Sequence, residues 1–178
     1  MIKEEYAIVL EYLPNGYPLE GKMMPLAQAI GEINLTLLEL VPRRGIDLEI
    51  GERVYIGEGK RDKIYYVLGR LNREKITESA KERLQDFLKK IVKEKEEKFV
   101  SFFNTAEAIN KRIHQIELIP GLGKKHMQEI LRQRKETFFK SFEDLKKRVQ
   151  NLPDPEKAIE KRIFKELINL ERYNLFVH

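Results

Sequence analysis

The chain has 178 residues, room for one ordinary domain or two small ones, and its 42% hydrophobic content supports a packed core rather than disorder. With no cysteine, disulfides, thiolate zinc sites and thiol nucleophiles are excluded, and no apolar run approaches the roughly 20 residues needed to span a bilayer. Charged residues reach 35% and the net +5 is segregated: residues 1–52 sum to −5, 53–73 to +4 and 75–178 to +7, a distribution suited to a polyanion-binding surface.

The first residues, Met1-Ile2-Lys3-Glu4-Glu5, lack the apolar run of a signal peptide, which with the absence of cysteine predicts a cytoplasmic protein without a membrane partner. Residues 5–71 read as strands. Tyr6-Ala7-Ile8-Val9-Leu10-Glu11-Tyr12-Leu13 is apolar, β-branched and aromatic, and Pro14-Asn15-Gly16 ends it in a turn. A second apolar region runs from 27 to 41, with strand expected over most of 33–41. Arg53-Val54-Tyr55-Ile56-Gly57 alternates as a half-buried strand does, 57–63 is a charged turn, and Ile64-Tyr65-Tyr66-Val67-Leu68 is expected to return as its partner. Four or five short strands in this space predict a small barrel or curled sheet.

Two candidate sites lie in this half. Gly16-Tyr17-Pro18-Leu19-Glu20-Gly21-Lys22 matches the G-x-x-x-x-G-K spacing of a P-loop, but Met23 stands where a magnesium-binding Ser or Thr belongs. Glu20, Pro18 and Pro25 also oppose a phosphate cradle, so the stretch reads as an interstrand turn. The basic segment with Arg53, Tyr55, Lys60, Arg61, Lys63, Tyr65 and Arg70 interleaves cations with aromatics. OB-type barrels use such a face to stack bases and neutralise backbone; the alternative is a barrel whose tyrosines merely cover its core. Because strands alternate faces, Tyr65 and Tyr66 cannot both point outward.

From Thr77 the period becomes helical. Ala80, Leu84, Phe87, Leu88 and Ile91 mark one long amphipathic helix running into the Lys/Glu stretch 93–98. Residues 104–107 can cap a second helix carrying Ala108, Ile109 and Ile113, and Met127, Ile130 and Leu131 mark a third. Ser141-Phe142-Glu143-Asp144 resembles a capping box for a fourth, and Asp154-Pro155-Glu156 starts a fifth. The expected organisation is thus α+β: residues 1–74 a small barrel or curled sheet, 75–178 an all-α domain.

Between the second and third expected helices stands Ile119-Pro120-Gly121-Leu122-Gly123-Lys124-Lys125. Glycine and proline after a helix often form no more than a turn. The fuller pattern, apolar-Pro-Gly-apolar-Gly before a basic helix start, has a further use. Its glycines admit a phosphate to the backbone, Ile119 and Leu122 plug the turn, and the first helical amides and the dipole favour an anion. Lys124 and Lys125 add charge that contacts backbone without reading sequence. Any positive φ at Gly123 would make a β-branched residue there strained as well as obstructive.

These residues resemble the helix-hairpin-helix motif of nucleic-acid-binding proteins, and Phe139-Lys140-Ser141-Phe142-Glu143-Asp144-Leu145 is similar to the segment that often follows it. The resemblance implies a tandem arrangement, with Asn151-Leu152-Pro153-Asp154-Pro155 as a degenerate second hairpin. Met127 departs from the pattern, which often has a small residue there. Over nearly its whole length the chain resembles an archaeal domain-of-unknown-function family, family 655, most clearly in Asn34-Leu35-Thr36-Leu37-Leu38-Glu39-Leu40-Val41-Pro42, in 51–57 and in 119–123. That resemblance implies an OB-like β-barrel over residues 1–74, a tandem helix-hairpin-helix and RNA or nucleotide binding, with no catalytic residues.

His114 and His126 are each isolated, without a carboxylate at metal-pair spacing, and are expected at the surface or, for His126, as an auxiliary contact to the ligand's backbone. The carboxylate pairs Glu4/Glu5, Glu96/Glu97 and Glu143/Asp144 read as caps or solvated faces. No catalytic residue, metal or cofactor is expected. The reading is a non-enzymatic nucleic-acid-binding protein, RNA favoured over DNA, contacting phosphate through Gly121, Leu122, Gly123, Lys124 and Lys125 and through the basic face. Its alternatives are a protein-docking adaptor with a ribosomal or replication partner, and a nucleotide-binding enzyme using 16–22.

Overall fold

Alternating apolar residues and four reversals build one sheet from the first half of the chain. In the computed structural model, which describes residues 3–21 and 23–178, these strands are β1 (Tyr6–Leu13), β2 (Leu26–Gly31), β3 (Leu37–Pro42), β4 (Arg53–Tyr55) and β5 (Ile64–Arg70). Every pairing is antiparallel and the order is β4-β1-β2-β3-β5. Register shifts between Val9 and Glu11, and at two places between β3 and β5, add local bend and twist. The result is a curled half-barrel. Lys22, the last residue of the P-loop-like stretch, lies outside the described residues, as do Met1 and Ile2.

Two expectations for this half are corrected. The apolar region 27–41 is two strands, because Leu35 turns the chain at φ 55° and the Glu4 carboxylate accepts hydrogen bonds from the amides of Ile33 (2.8 Å) and Asn34 (2.6 Å). The strands at 53 and 64 are not partners: β4 pairs with β1 and β5 with β3, at opposite ends of the sheet order. The link between them is too long for a two-residue hairpin turn, which would force adjacent pairing.

Period two explains the inner face, where Ala7, Val9, Ala27, Ala29, Leu38, Leu40, Val54, Ile56 and Ile64 are buried together with Leu48 from the β3–β4 loop. The alternate positions of β2 and β3 are buried too. On that face Gln28 is fully buried, donating to the Lys75 carbonyl (2.8 Å) and the Tyr17 hydroxyl (3.1 Å) while its Oε1 accepts from the Thr77 amide (3.1 Å). These bonds hold the segment entering the first helix over the sheet. The Tyr17 hydroxyl in turn donates to Glu39 (3.1 Å), and burial pushes its pKa up to about 12.

The helices are α1 (Glu78–Glu94), α2 (Glu96–Thr105), α3 (Lys124–Glu136), α4 (Phe142–Arg148) and α5 (Pro155–Ile168), with a 3-10 turn at Gln115–Leu118. The expected second helix, starting at 104–107, is overturned. Lys95, at φ −108° and ψ 37°, breaks the long helix, so that Phe99, Val100 and Phe103 supply the buried face of α2. Residues 107–114 instead form a loop with one bridge, Ala108 to His114, whose turn is held by Asn110 Oδ1 accepting from the Arg112 (2.8 Å) and Ile113 (3.0 Å) amides. A local Asn turn of this kind competes with helix directly.

The chain divides into two compact units, Met1–Gln85 with Glu166–His178, and Asp86–Lys165. In the second unit the buried apolar residues include Phe99, Phe103, Ile116, Ile119, Leu122, Ile130, Phe142, Leu145 and Val149. Among the described residues no helix is long and apolar enough to cross a membrane.

Candidate nucleic-acid interface

The second unit contains two short turns built alike. Ile119 closes the 3-10 turn and Val149 closes α4; each is 1% exposed and each donates its amide back to the preceding turn, to the carbonyls of Ile116 (3.1 Å) and Leu145 (3.0 Å). Two residues later Gly121 (φ 84°) and Asn151 (φ 56°) take the left-handed conformation that reverses the chain. Leu122 is then buried and Leu152 half-buried, and a new helix starts. The two turns touch: the position of a Cβ on Gly121 lies 3.3 Å from Pro153 Cγ, and His126 Nε2 is 3.0 Å from the Asn151 carbonyl oxygen.

The helix starts differ in chemistry. At α5 the Asp154 carboxylate accepts the Glu156 amide (3.0 Å), Glu156 adds a second negative charge, and Pro155 has no amide to offer. At α3 the first helical bond runs from the Met127 amide to the Gly123 carbonyl (3.0 Å). The amides of Lys124, Lys125 and His126 lie ahead of that bond, no side chain caps them, and the first turn holds no acid. Gly121, Gly123, Lys124 and Lys125 are exposed. Neither lysine has a hydrogen-bond or ion-pair partner among the described residues. Gly123 has φ −99° and ψ −167°, extended backbone open to any residue, with no atom within 4 Å of a Cβ placed there. The left-handed glycine of this turn is therefore Gly121.

In the first unit several residues of the basic segment are already engaged within the protein. The Arg53 guanidinium lies 3.5 Å over the Tyr6 ring and grips Glu32 with two bonds (2.7 and 3.1 Å). Lys63 is ion-paired with Glu52, and Arg61 Nε donates to the Gly57 carbonyl (2.7 Å). The Tyr55 hydroxyl accepts from the Gly59 amide (3.0 Å) and its ring lies so close under Gly57 and Gly59 that a Cβ on either would clash, so this tyrosine is spent on the loop. Lys60 is exposed and without a partner among the described residues, and Tyr65 is 64% exposed. Tyr66 is half-buried, its hydroxyl turned to Met24.

His114 departs from the surface position expected of it. It is 8% exposed, and its Nδ1 accepts the Ile116 amide (3.1 Å) while Glu117 accepts the His114 amide (2.8 Å), which caps the 3-10 turn at both ends of the exchange. Burial, with the nearby Arg134 charge, holds its pKa below the usual histidine value. Arg44 was not singled out by sequence reasoning, although Arg43-Arg44-Gly45 after Pro42 is a turn signal carrying paired cations. Among the described residues no group of three or more His, Asp or Glu side chains is placed to hold a metal.

Comparison with known proteins agrees along the whole chain. The family model described as "Protein of unknown function (DUF655)" matches residues 3–178. The uncharacterized protein MJ0038 of Methanocaldococcus jannaschii is 43% identical over 98% of this chain and 80% of its own length. The crystal structure of Af1531 from Archaeoglobus fulgidus, also 43% identical, superposes with a TM-score of 0.84 over 98% of this chain and 100% of that one. The chain belongs to the DUF655 family.

Proposed function

We propose that this chain is a non-enzymatic nucleic-acid-binding protein, RNA favoured over DNA, that holds a phosphate at the start of α3. The observation that carries this reading is the uncapped α3 N-terminus: three amides ahead of the first helical bond, an exposed glycine on each side of Leu122, and two uncompensated lysines. A phosphate fits this arrangement because the backbone supplies fixed donors and no side chain stands in its way.

The finer architecture follows the same reading. Five short strands curled into one half-barrel support the reading as a partly open OB-type barrel. The matching turns at 119–123 and 149–154 support the reading as a tandem helix-hairpin-helix, in which Asp154 closes the second hairpin to anions. In the basic segment of the first unit, Lys60 and Arg70 are unpaired among the described residues and Tyr65 is exposed, and binding falls to them, since Arg53 and Lys63 already have carboxylate partners. A protein-docking reading draws on Leu19 and Met23, 100% and 78% exposed in the β1–β2 connection.

Purification before and after a high-salt wash, with the released material digested by ribonuclease or deoxyribonuclease, tests the reading. Nucleic acid should copurify at low salt and be lost at high salt, and Lys124→Ala/Lys125→Ala should carry less of it. A protein that copurifies with a stoichiometric partner polypeptide and ignores added RNA and DNA is an adaptor.

A further inference from the structure

We infer that the cleft between the β1–β2 connection, the β3–β4 loop and β5 takes one unpaired nucleobase of a nucleic-acid strand, stacked on Tyr65 with its phosphate at Arg44. This rests on the nucleic-acid reading above but concerns a different surface, and it specifies a single strand rather than a duplex.

OB-type barrels commonly lay bases along the face of strands 2 and 3. Here β2 and β3 are buried at every position and the Gln28 bonds to 75–77 close that face, so a strand has to use the rim. At the rim lies a cleft of about 480 Å³, walled by Tyr65, Met24, Tyr12, Arg43, Arg44 and Asp47. The exposed Tyr65 ring has a neighbour, Tyr66, in edge contact at 5.3 Å between centroids, which limits its reorientation.

The β3–β4 loop makes the polar wall. The Ile46 amide closes a turn on the Arg43 carbonyl (3.0 Å), and Gly45 adopts the φ of 79° that the turn requires. Arg43 is anchored on both sides, its amide to the Lys63 carbonyl and its Nε to the Arg61 carbonyl, each 2.8 Å. Arg44, at the tip, is exposed and has no partner among the described residues. The Asp47 carboxylate, which accepts the Tyr12 hydroxyl (3.0 Å), has capacity left for an N–H on a base edge, such as N3–H of uracil. An apolar ligand would leave Arg44 and Asp47 unused, and a bare phosphate would leave Tyr65 unused. A nucleotide unit with its base unstacked from a strand engages all three, whereas a paired base has its edge and faces occupied.

The test compares wild type, Tyr65→Ala, Tyr65→Phe and Arg44→Ala on four probes: a single-stranded oligouridylate of about ten nucleotides, the abasic strand of equal length, a matched RNA duplex, and uridine monophosphate. Tyr65→Ala should weaken the oligouridylate by roughly 5- to 100-fold, leave the abasic strand and duplex unchanged, and be rescued by Tyr65→Phe. Arg44→Ala should weaken both single strands alike. Equal losses from Tyr65→Ala on base-bearing and abasic strands, or no loss from it, would overturn the base pocket. Uridine monophosphate binding as tightly as the oligomer would overturn the assignment to a strand. Binding that Lys124→Ala/Lys125→Ala abolishes and Tyr65→Ala does not touch leaves the α3 phosphate site standing and removes this one; no binding of any probe by wild type removes both.

Discussion

Gly121 and Gly123 stand two residues apart and have different reasons to be glycine. At Gly121 the φ of 84° and the Pro153 ring, 3.3 Å from a Cβ position, make any side chain strained. Gly121→Val should therefore destabilise the protein by roughly 1–3 kcal/mol, seen as a lower melting temperature. Gly123 has ordinary backbone and open space, so Gly123→Val should melt within about 1 kcal/mol of wild type while losing close approach to a phosphate. The motif was legible as two glycines; which one carries the left-handed φ was not, because the sequence pattern serves both demands with the same residue. His114 gives a prediction of a different kind. Its buried, accepting Nδ1 requires the neutral ring, and its folded pKa lies below the unfolded 6.5. Stability is then complete above 6.5 and falls as the pH drops from there toward the lower folded value, since the unfolded chain takes up the proton first. Melting at neutral pH and near pH 5.5 should show this loss, and His114→Asn, which can keep the cap, should lessen it.

At the scale of elements, the two turns of the second unit share a framework and differ at their helix starts. Asp154 supplies both a cap and a negative charge at α5. Asp154→Asn keeps a capping oxygen and removes the charge, so the melting temperature should hardly move while affinity for single-stranded RNA rises. An unchanged affinity would mean that this end is remote from the polyanion. The framework was readable because Ile119, Leu122, Val149 and Leu152 fall at matching places and the caps Ser141 and Asp154 are local signals. Residues 107–114 mislead because Ala108, Ile109 and Ile113 have helical spacing, while the competing turn depends on a single Asn110 side chain. The pairing of β4 and β5 with opposite ends of the sheet was likewise hidden, since adjacency in sequence is the usual guide to adjacency in a sheet. The cations of the basic segment were visible in sequence; their neutralisation by Glu32 and Glu52, brought from 21 and 11 residues away, was not.

For the whole molecule, the net charge of +5 does not say which cations a polyanion meets: several are already paired with carboxylates, while Lys60, Lys124, Lys125 and Arg44 are among those that are not. Binding should be tolerant of sequence and steeply salt-dependent, with the slope set by the number of phosphates contacted rather than by the total charge. Removing Lys124 and Lys125 together should lower the slope of log affinity against log salt by roughly 0.7 for each phosphate of a single strand that these lysines neutralise. The most direct measurement sets stability against binding at one atom position. Gly123→Asp places a carboxylate where α3 has no cap, which should keep or raise the melting temperature by satisfying the free amides. The same carboxylate occupies the phosphate position and repels it. Titration of a labelled single-stranded RNA at several salt concentrations, alongside melting curves, reads both effects. The account predicts a protein at least as stable as wild type that has lost most of its RNA affinity; a stable Gly123→Asp protein that binds RNA with wild-type affinity and salt slope would contradict it.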